Sequence, residues 1–137
     1  MTTRQHLLMM AIASVCFAGT QAANAMTREE YKAAKDKIEA DYKSAKAQCD
    51  TLKDNAKDVC EKQAKGQENV AKAELEQQYK PSDSHARKVA EEKVKADYEV
   101  AKEKCDDMQG DAKNACQKEA KAVEAKGKAD IKAMKKM

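Results

Sequence analysis

The stretch Ala40-Asp41-Tyr42-Lys43-Ser44-Ala45-Lys46-Ala47-Gln48-Cys49-Asp50 decides the fold, because its pattern returns as Ala96-Asp97-Tyr98-Glu99-Val100-Ala101-Lys102-Glu103-Lys104-Cys105-Asp106. The offset is 56 positions, and the match runs without a gap from Ile38/Val94 to at least Leu75/Ile131. Past the quoted stretch, Ala56-Lys57 answers to Ala112-Lys113 and Cys60 to Cys116, while Lys62, Ala64 and Lys65 answer to Lys118, Ala120 and Lys121. An ungapped match of this length reads as one unit written twice.

The period inside each unit is helical. Tyr31, Ala34, Ile38, Tyr42, Ala45, Cys49 and Leu52 step by three or four residues, and so do Ala86, Ala90, Val94, Tyr98, Ala101, Cys105 and Met108. Each series is one narrow apolar stripe on an otherwise charged helix. A second stripe follows in each unit: Ala56, Cys60, Ala64, Ala71 and Leu75, then Ala112, Cys116, Ala120, Val123, Ile131 and Met134. The punctuation agrees. Thr27 with Glu30 reads as a capping box, and Lys80-Pro81-Ser82-Asp83-Ser84 ends one unit and can cap the next. Gly110-Asp111 is a helix stop followed by a new cap, and Asp54-Asn55 holds the same place in the first unit. The expected fold is all-α, with helices at about 27–52, 55–79, 84–109 and 111–135. They form two duplicated, disulfide-stapled helical hairpins, unit 27–80 and unit 84–136, with packing as a bundle left open.

Residues 1–25 are of another kind. Arg4 precedes an apolar run, Leu7 to Gly19, and a polar segment then ends in Ala23-Asn24-Ala25 with small residues at −3 and −1. This is the layout of a cleaved secretory signal, and the run is shorter than the ~20 residues a spanning helix needs. Cleavage is expected after Ala25. A lipid anchor on Cys16 does not fit, since Val15 is not small and Cys16 lies inside the apolar run. No later segment is apolar enough to cross a membrane, so a soluble periplasmic location is expected.

Removing Cys16 leaves Cys49, Cys60, Cys105 and Cys116, an even number that in an exported chain points to two disulfides. On one unbroken helix Cys49 and Cys60 would lie about 16 Å apart, whereas bridged cysteines need Cα atoms within about 7 Å. Local pairs 49–60 and 105–116 therefore require the chain to fold back where the cap signals stand. The rival is one long hairpin turning at Ser82-Asp83, with bridges 49–116 and 60–105 as in the twin Cys-x9-Cys proteins. The spacing here is ten residues rather than nine, and Gly110 would fall inside a helix, which favours the local pairs.

The composition argues against most chemistry. Charged residues make up 37% of the chain, Trp is absent and the one Phe is Phe17. That is the make-up of long solvated helices, ill suited to a deep dry pocket. The net charge of +3 comes from interleaved signs, as in Lys35-Asp36-Lys37, so no unopposed basic face for nucleic acid is expected. Lys132, Lys135 and Lys136 read as cations suited to a helix C-terminus. No C-x-x-C dithiol is present, and His85 is the one histidine after the signal segment, so neither redox catalysis nor a metal centre is expected. Glu29-Glu30, Glu91-Glu92 and Asp106-Asp107 lie on polar faces with nothing apolar to raise a pKa. No catalytic residue, metal or cofactor is assigned. Tyr42 and Tyr98 occupy equivalent stripe positions, as core packing or as anchors for a partner.

The motif Tyr-x2-Ala-Lys-x2-Cys-Asp, a short break, then Ala-Lys-x2-Cys and x3-Ala-Lys, runs through Tyr42–Lys65 and Tyr98–Lys121. It resembles a group of small exported proteobacterial proteins, Ala/Lys-rich Cys-repeat chains whose labels invoke cell-envelope biogenesis or a TolA-like character. The PsiF repeat of periplasmic proteins is similar in placing a Gly-Asp break between two cysteines. What the resemblance adds is a setting, the cell envelope. The expectation is a non-enzymatic periplasmic helical protein with a structural, stress-related or adaptor role, acting on a protein partner or through self-association. The alternatives are a holdase for unfolded clients and a thiol–disulfide redox sensor.

Overall fold

Thr27 starts the first helix by reciprocal hydrogen bonding. Its Oγ1 accepts from the Glu30 backbone N–H at 3.2 Å, and Glu30 Oε2 accepts from the Thr27 N–H at 2.7 Å. In the computed structural model, which describes residues 25–134, four helices follow: α1 Arg28–Cys49, α2 Asp54–Tyr79, α3 Asp83–Asp106 and α4 Gly110–Met134. The targeting segment, apart from Ala25, lies outside the described residues, as do Lys135 and Lys136.

Both hairpin tips close by the same device. The Leu52 N–H bonds to the Cys49 carbonyl at 3.0 Å, and the Met108 N–H to the Cys105 carbonyl at 3.0 Å. These turns end α1 three residues and α3 two residues before the apolar stripes do. Leu52 and Met108 are in phase with the stripes but stand in the turns, each 42% exposed. Asp54 and Gly110 then take left-handed backbone, φ +52° and +57°, and the chain reverses. A non-glycine residue enters that region at some cost, and aspartate is among the few that tolerate it. Between α2 and α3, Gln77 Oε1 accepts from the Ser82 N–H at 3.1 Å, and Ser82 Oγ caps the His85 N–H at 3.0 Å. His85 Nδ1 lies 2.7 Å from the Lys80 carbonyl, so this histidine belongs to the turn.

Folding back at the expected breaks brings each cysteine opposite its local partner, although the expected caps are not made: Lys53 precedes α2 with no side-chain capping bond, and Gly110 opens α4 instead of ending α3. Cys49 pairs with Cys60 at a Cα separation of 5.5 Å, and Cys105 with Cys116 at 5.6 Å. The cross-helix alternative fails because α1 and α4 do not touch.

Among the described residues each helix packs only on its neighbours in sequence, α1 on α2, α2 on α3 and α3 on α4, with the α2·α3 contact the most extensive. The result is an open row rather than a closed bundle. Its core is thin: Ala64, Ala73, Leu75, Ala120 and Ile131, with Cys49 and Cys105 fully buried at the tips. Small residues let the helices approach. A Cβ on Gly66 would fall 2.7 Å from Ala96 Cβ, which marks the crossing of α2 and α3.

Candidate functional site: a grooved face

Ile38, Tyr42 and Ala45 recur at helical spacing on α1, facing Ala64, Gln67 and Ala71 on α2. Together they line a groove of about 200 Å³. Their counterparts 56 positions on are Val94, Tyr98 and Ala101 on α3 and Ala120, Val123 and Gly127 on α4, and all six line a groove of about 480 Å³. A third groove, of about 740 Å³, runs between α2 and α3 over Gly66, Val70, Ala96 and Val100.

The three grooves lie side by side. Gln67 and Ala71 border both the first and the third, and Asp97 and Ala101 border both the third and the second. One face of the row is therefore corrugated, with apolar floors. The opposite face is ionic. Lys62, Lys65 and Lys95 stand there among Glu92 and Glu99, with Lys62 Nζ 3.6 Å from both Glu99 and Glu103.

The electrostatics of the two equivalent grooves differ. In the α1·α2 groove both carboxylates are held: Asp41 by Lys37 at 2.6 Å, and Glu68 by Lys65 at 2.8 Å and Lys72 at 2.7 Å. Glu68 is only 7% exposed. Burial pushes its carboxyl up, but the hydrogen bonds from Lys65 and Lys72 outweigh that and hold it below the usual glutamate value. In the α3·α4 groove Glu124 is paired with Lys128, and Asp130 with Lys126 at 2.8 Å. Asp97 and Glu119 have no ion pair among the described residues. Lys93, the counterpart of Lys37, turns instead to Glu74 of α2 at 2.7 Å and leaves Asp97 free.

The residues singled out in the sequence fall as follows. Tyr42 and Tyr98 are half-buried, each lining its own groove, and the Lys65 ammonium sits 5.1 Å from the Tyr42 ring centre. Cys105 and Cys116 close one end of the α3·α4 groove. Val123, which the apolar stripe would bury, is 62% exposed on the groove wall. Gln67, Glu119 and Gly127 were not singled out in the sequence, although the two units depart from each other there (Gln63/Glu119, Gln67/Val123, Ala71/Gly127) and so carry a signal; Asp97, which repeats Asp41 unchanged, carries no such signal of its role. At the far end of α1·α2, Tyr31 Oη donates to a Glu76 carboxylate oxygen and its ring lies 4.5 Å from that of Tyr79. The bond to Glu76 holds the Tyr31 phenol above its ordinary value.

Among the described residues no three His, Cys, Asp or Glu side chains are grouped to hold a metal ion, and no helix is long and apolar enough to cross a membrane. No protein-family model, curated protein or solved structure matches the chain.

Proposed function

We propose that this chain is a non-enzymatic, exported helical protein of the cell envelope, serving as an adaptor that engages a protein partner through its grooved face. The observation that carries the reading is the recurrence of one groove, position for position, in both hairpins. Beside the buried Ala64 and Ala120, which helix packing requires, Ile38/Val94, Tyr42/Tyr98 and Ala45/Ala101 keep half-buried apolar floors in the same register. Two disulfides suit an oxidising compartment such as the periplasm. Cys49 and Cys105 have no exposed surface, which suits structural bonds better than sensing ones.

Photocrosslinking residues at Gln67 and Val123, with controls at Lys62 and Lys95 on the ionic face, test the adaptor reading in intact cells. A discrete adduct from the grooved face alone is the expected result. Adducts from both faces alike, or from neither, would end the reading. A holdase is the second reading, favoured by the three apolar floors on so charged a surface. It requires stoichiometric suppression of aggregation of a reduced client protein, and an adaptor does not.

A further inference from the structure

We propose that the α3·α4 groove receives a cationic amphipathic peptide segment, its apolar side chain on the floor and its Lys or Arg side chains on Asp97 and Glu119; this rests on the adaptor reading and names the partner's chemistry. The two equivalent grooves differ in size, in apolar surface and in charge. The second groove is the larger, about 480 Å³ against about 200 Å³, and runs on to Cys105 and Cys116, whereas neither Cys49 nor Cys60 lines the first. Gln67 becomes Val123, which puts a branched apolar side chain, 62% exposed, on the wall. Gln63 becomes Glu119, and the Lys93–Glu74 bridge releases Asp97.

Each difference shifts the site the same way, toward room, apolar surface and unneutralised negative charge. An exposed valine beside unpaired carboxylates does nothing for a solvated helix. It does complement a ligand that is apolar on one side and positive on the other. The volume falls within the usual range of ligand-binding clefts. The local charge runs against that of the whole chain, formally +3, so general attraction to polycations does not account for it. The Cys105–Cys116 bond at the end of the groove fixes the spacing of its walls.

The probe is a fluorescent helical peptide of alternating Leu and Lys faces, with two controls: the same peptide with Glu for Lys, and an all-polar Lys peptide. Anisotropy titrations use the disulfide-intact protein, at about 0.05 and 0.5 M salt. Only the Leu/Lys peptide is expected to bind, weakening about tenfold or more at high salt. Val123→Gln should weaken it about fivefold to tenfold. The pair Asp97→Asn with Glu119→Gln should weaken it about tenfold, while Asp41→Asn in the other groove leaves it unchanged. All are exposed positions, so circular dichroism should show native helicity in each variant.

No binding, equal binding of the acidic peptide, or binding indifferent to Val123→Gln and to the carboxylate pair overturns the proposal. A dimer abolished by Val123→Gln but not displaced by the peptide assigns the groove to a second copy and also overturns it. Photocrosslinks from Val123 without peptide binding would leave the adaptor reading standing and this ligand class wrong. Peptide binding with the stated losses but no crosslinks in cells would uphold the groove chemistry and end the adaptor reading.

Discussion

Gly66 and Gly127 are both helical glycines on inner faces, yet their neighbours give them different work. A Cβ at Gly66 meets Ala96 Cβ at 2.7 Å and Ala96 Cα at 3.3 Å, atoms that move only if α3 moves. A Cβ at Gly127 meets the two Val94 methyls, at 2.5 and 3.0 Å. The counterpart pair, Ile38 with Ala71, already fits an alanine opposite a larger side chain at the same register of α1·α2. Alanine gains about 1 kcal/mol of helix propensity at either site, and overpacking costs about 1–3 kcal/mol where nothing can give. Gly66→Ala is therefore expected to destabilise by about 1 kcal/mol or more, and Gly127→Ala to fall within about 0.5 kcal/mol of neutral. Urea melts of the two variants decide it, and equal losses would mean that the α2·α3 crossing is not special. Glu68 makes a residue-scale claim about pH. Its carboxyl is held below the usual value, as are those of Asp50 and Asp106, which accept from Lys57 and Lys113. Depressed carboxyls contribute stability that is complete above the unfolded value, about 4, and is lost as pH falls through the folded one. Lys57, Lys65, Lys88 and Lys126 are raised, so their contribution is complete below about 10 and is lost above it. The melting temperature should be level between about pH 5 and 9 as far as these groups are concerned. Glu68→Gln should reduce stability across that plateau by about 1 kcal/mol and flatten the acid limb. An unchanged acid limb would sink the assignment.

At the scale of elements, the hairpin is the unit that the disulfide holds. Each bond closes a loop of about a dozen residues, worth about 3 kcal/mol on the chain-entropy model. The core it supports is mostly alanine, and net stabilities of small domains run to only about 5–15 kcal/mol. Replacing Cys49 and Cys60 together by Ala should cost about 3 kcal/mol. Replacing all four cysteines should abolish the cooperative melt, read by far-ultraviolet circular dichroism. A four-alanine variant melting like the parent would show that the helices hold without their staples. The two tips are joined besides, since Asn55 Nδ2 donates to the Glu103 carbonyl at 2.9 Å. A loss at one tip should therefore be felt at the other. Much of this level was legible in the residues. Rise per residue forbids a bond within one helix, and Asp54-Asn55 and Gly110-Asp111 mark the reversal, so the local pairing could be reasoned out. Helix ends were less legible, because Leu52 and Met108 continue the apolar period into turns where periodicity has no structural meaning.

The whole molecule is where the sequence said least, for a physical reason. Periodicity tells which face of a helix is apolar but not which residues of a neighbour stand opposite. The register of α2 on α3 depends on one glycine, Gly66, whose counterpart Ala122 gives no hint of it. Without that register neither the shared ridges Gln67/Ala71 and Asp97/Ala101 nor the grooves between them can be placed. The same contact decides the overall shape. α1 and α3 meet nearly opposite sides of α2, and α2 and α4 nearly opposite sides of α3, so the row lies open instead of curling until α1 reaches α4. Helices of 22 to 26 residues are about 33–39 Å long, and four set about 9 Å apart make a slab one helix thick. Such a slab has a radius of gyration of about 15 Å, against about 13 Å for a compact domain of this size. Small-angle scattering from the disulfide-intact protein, started at Met26, should give the larger value and a flattened distance distribution. The smaller value would mean that α1 closes on α4, which would bury the grooved face and remove the surface on which both functional readings stand.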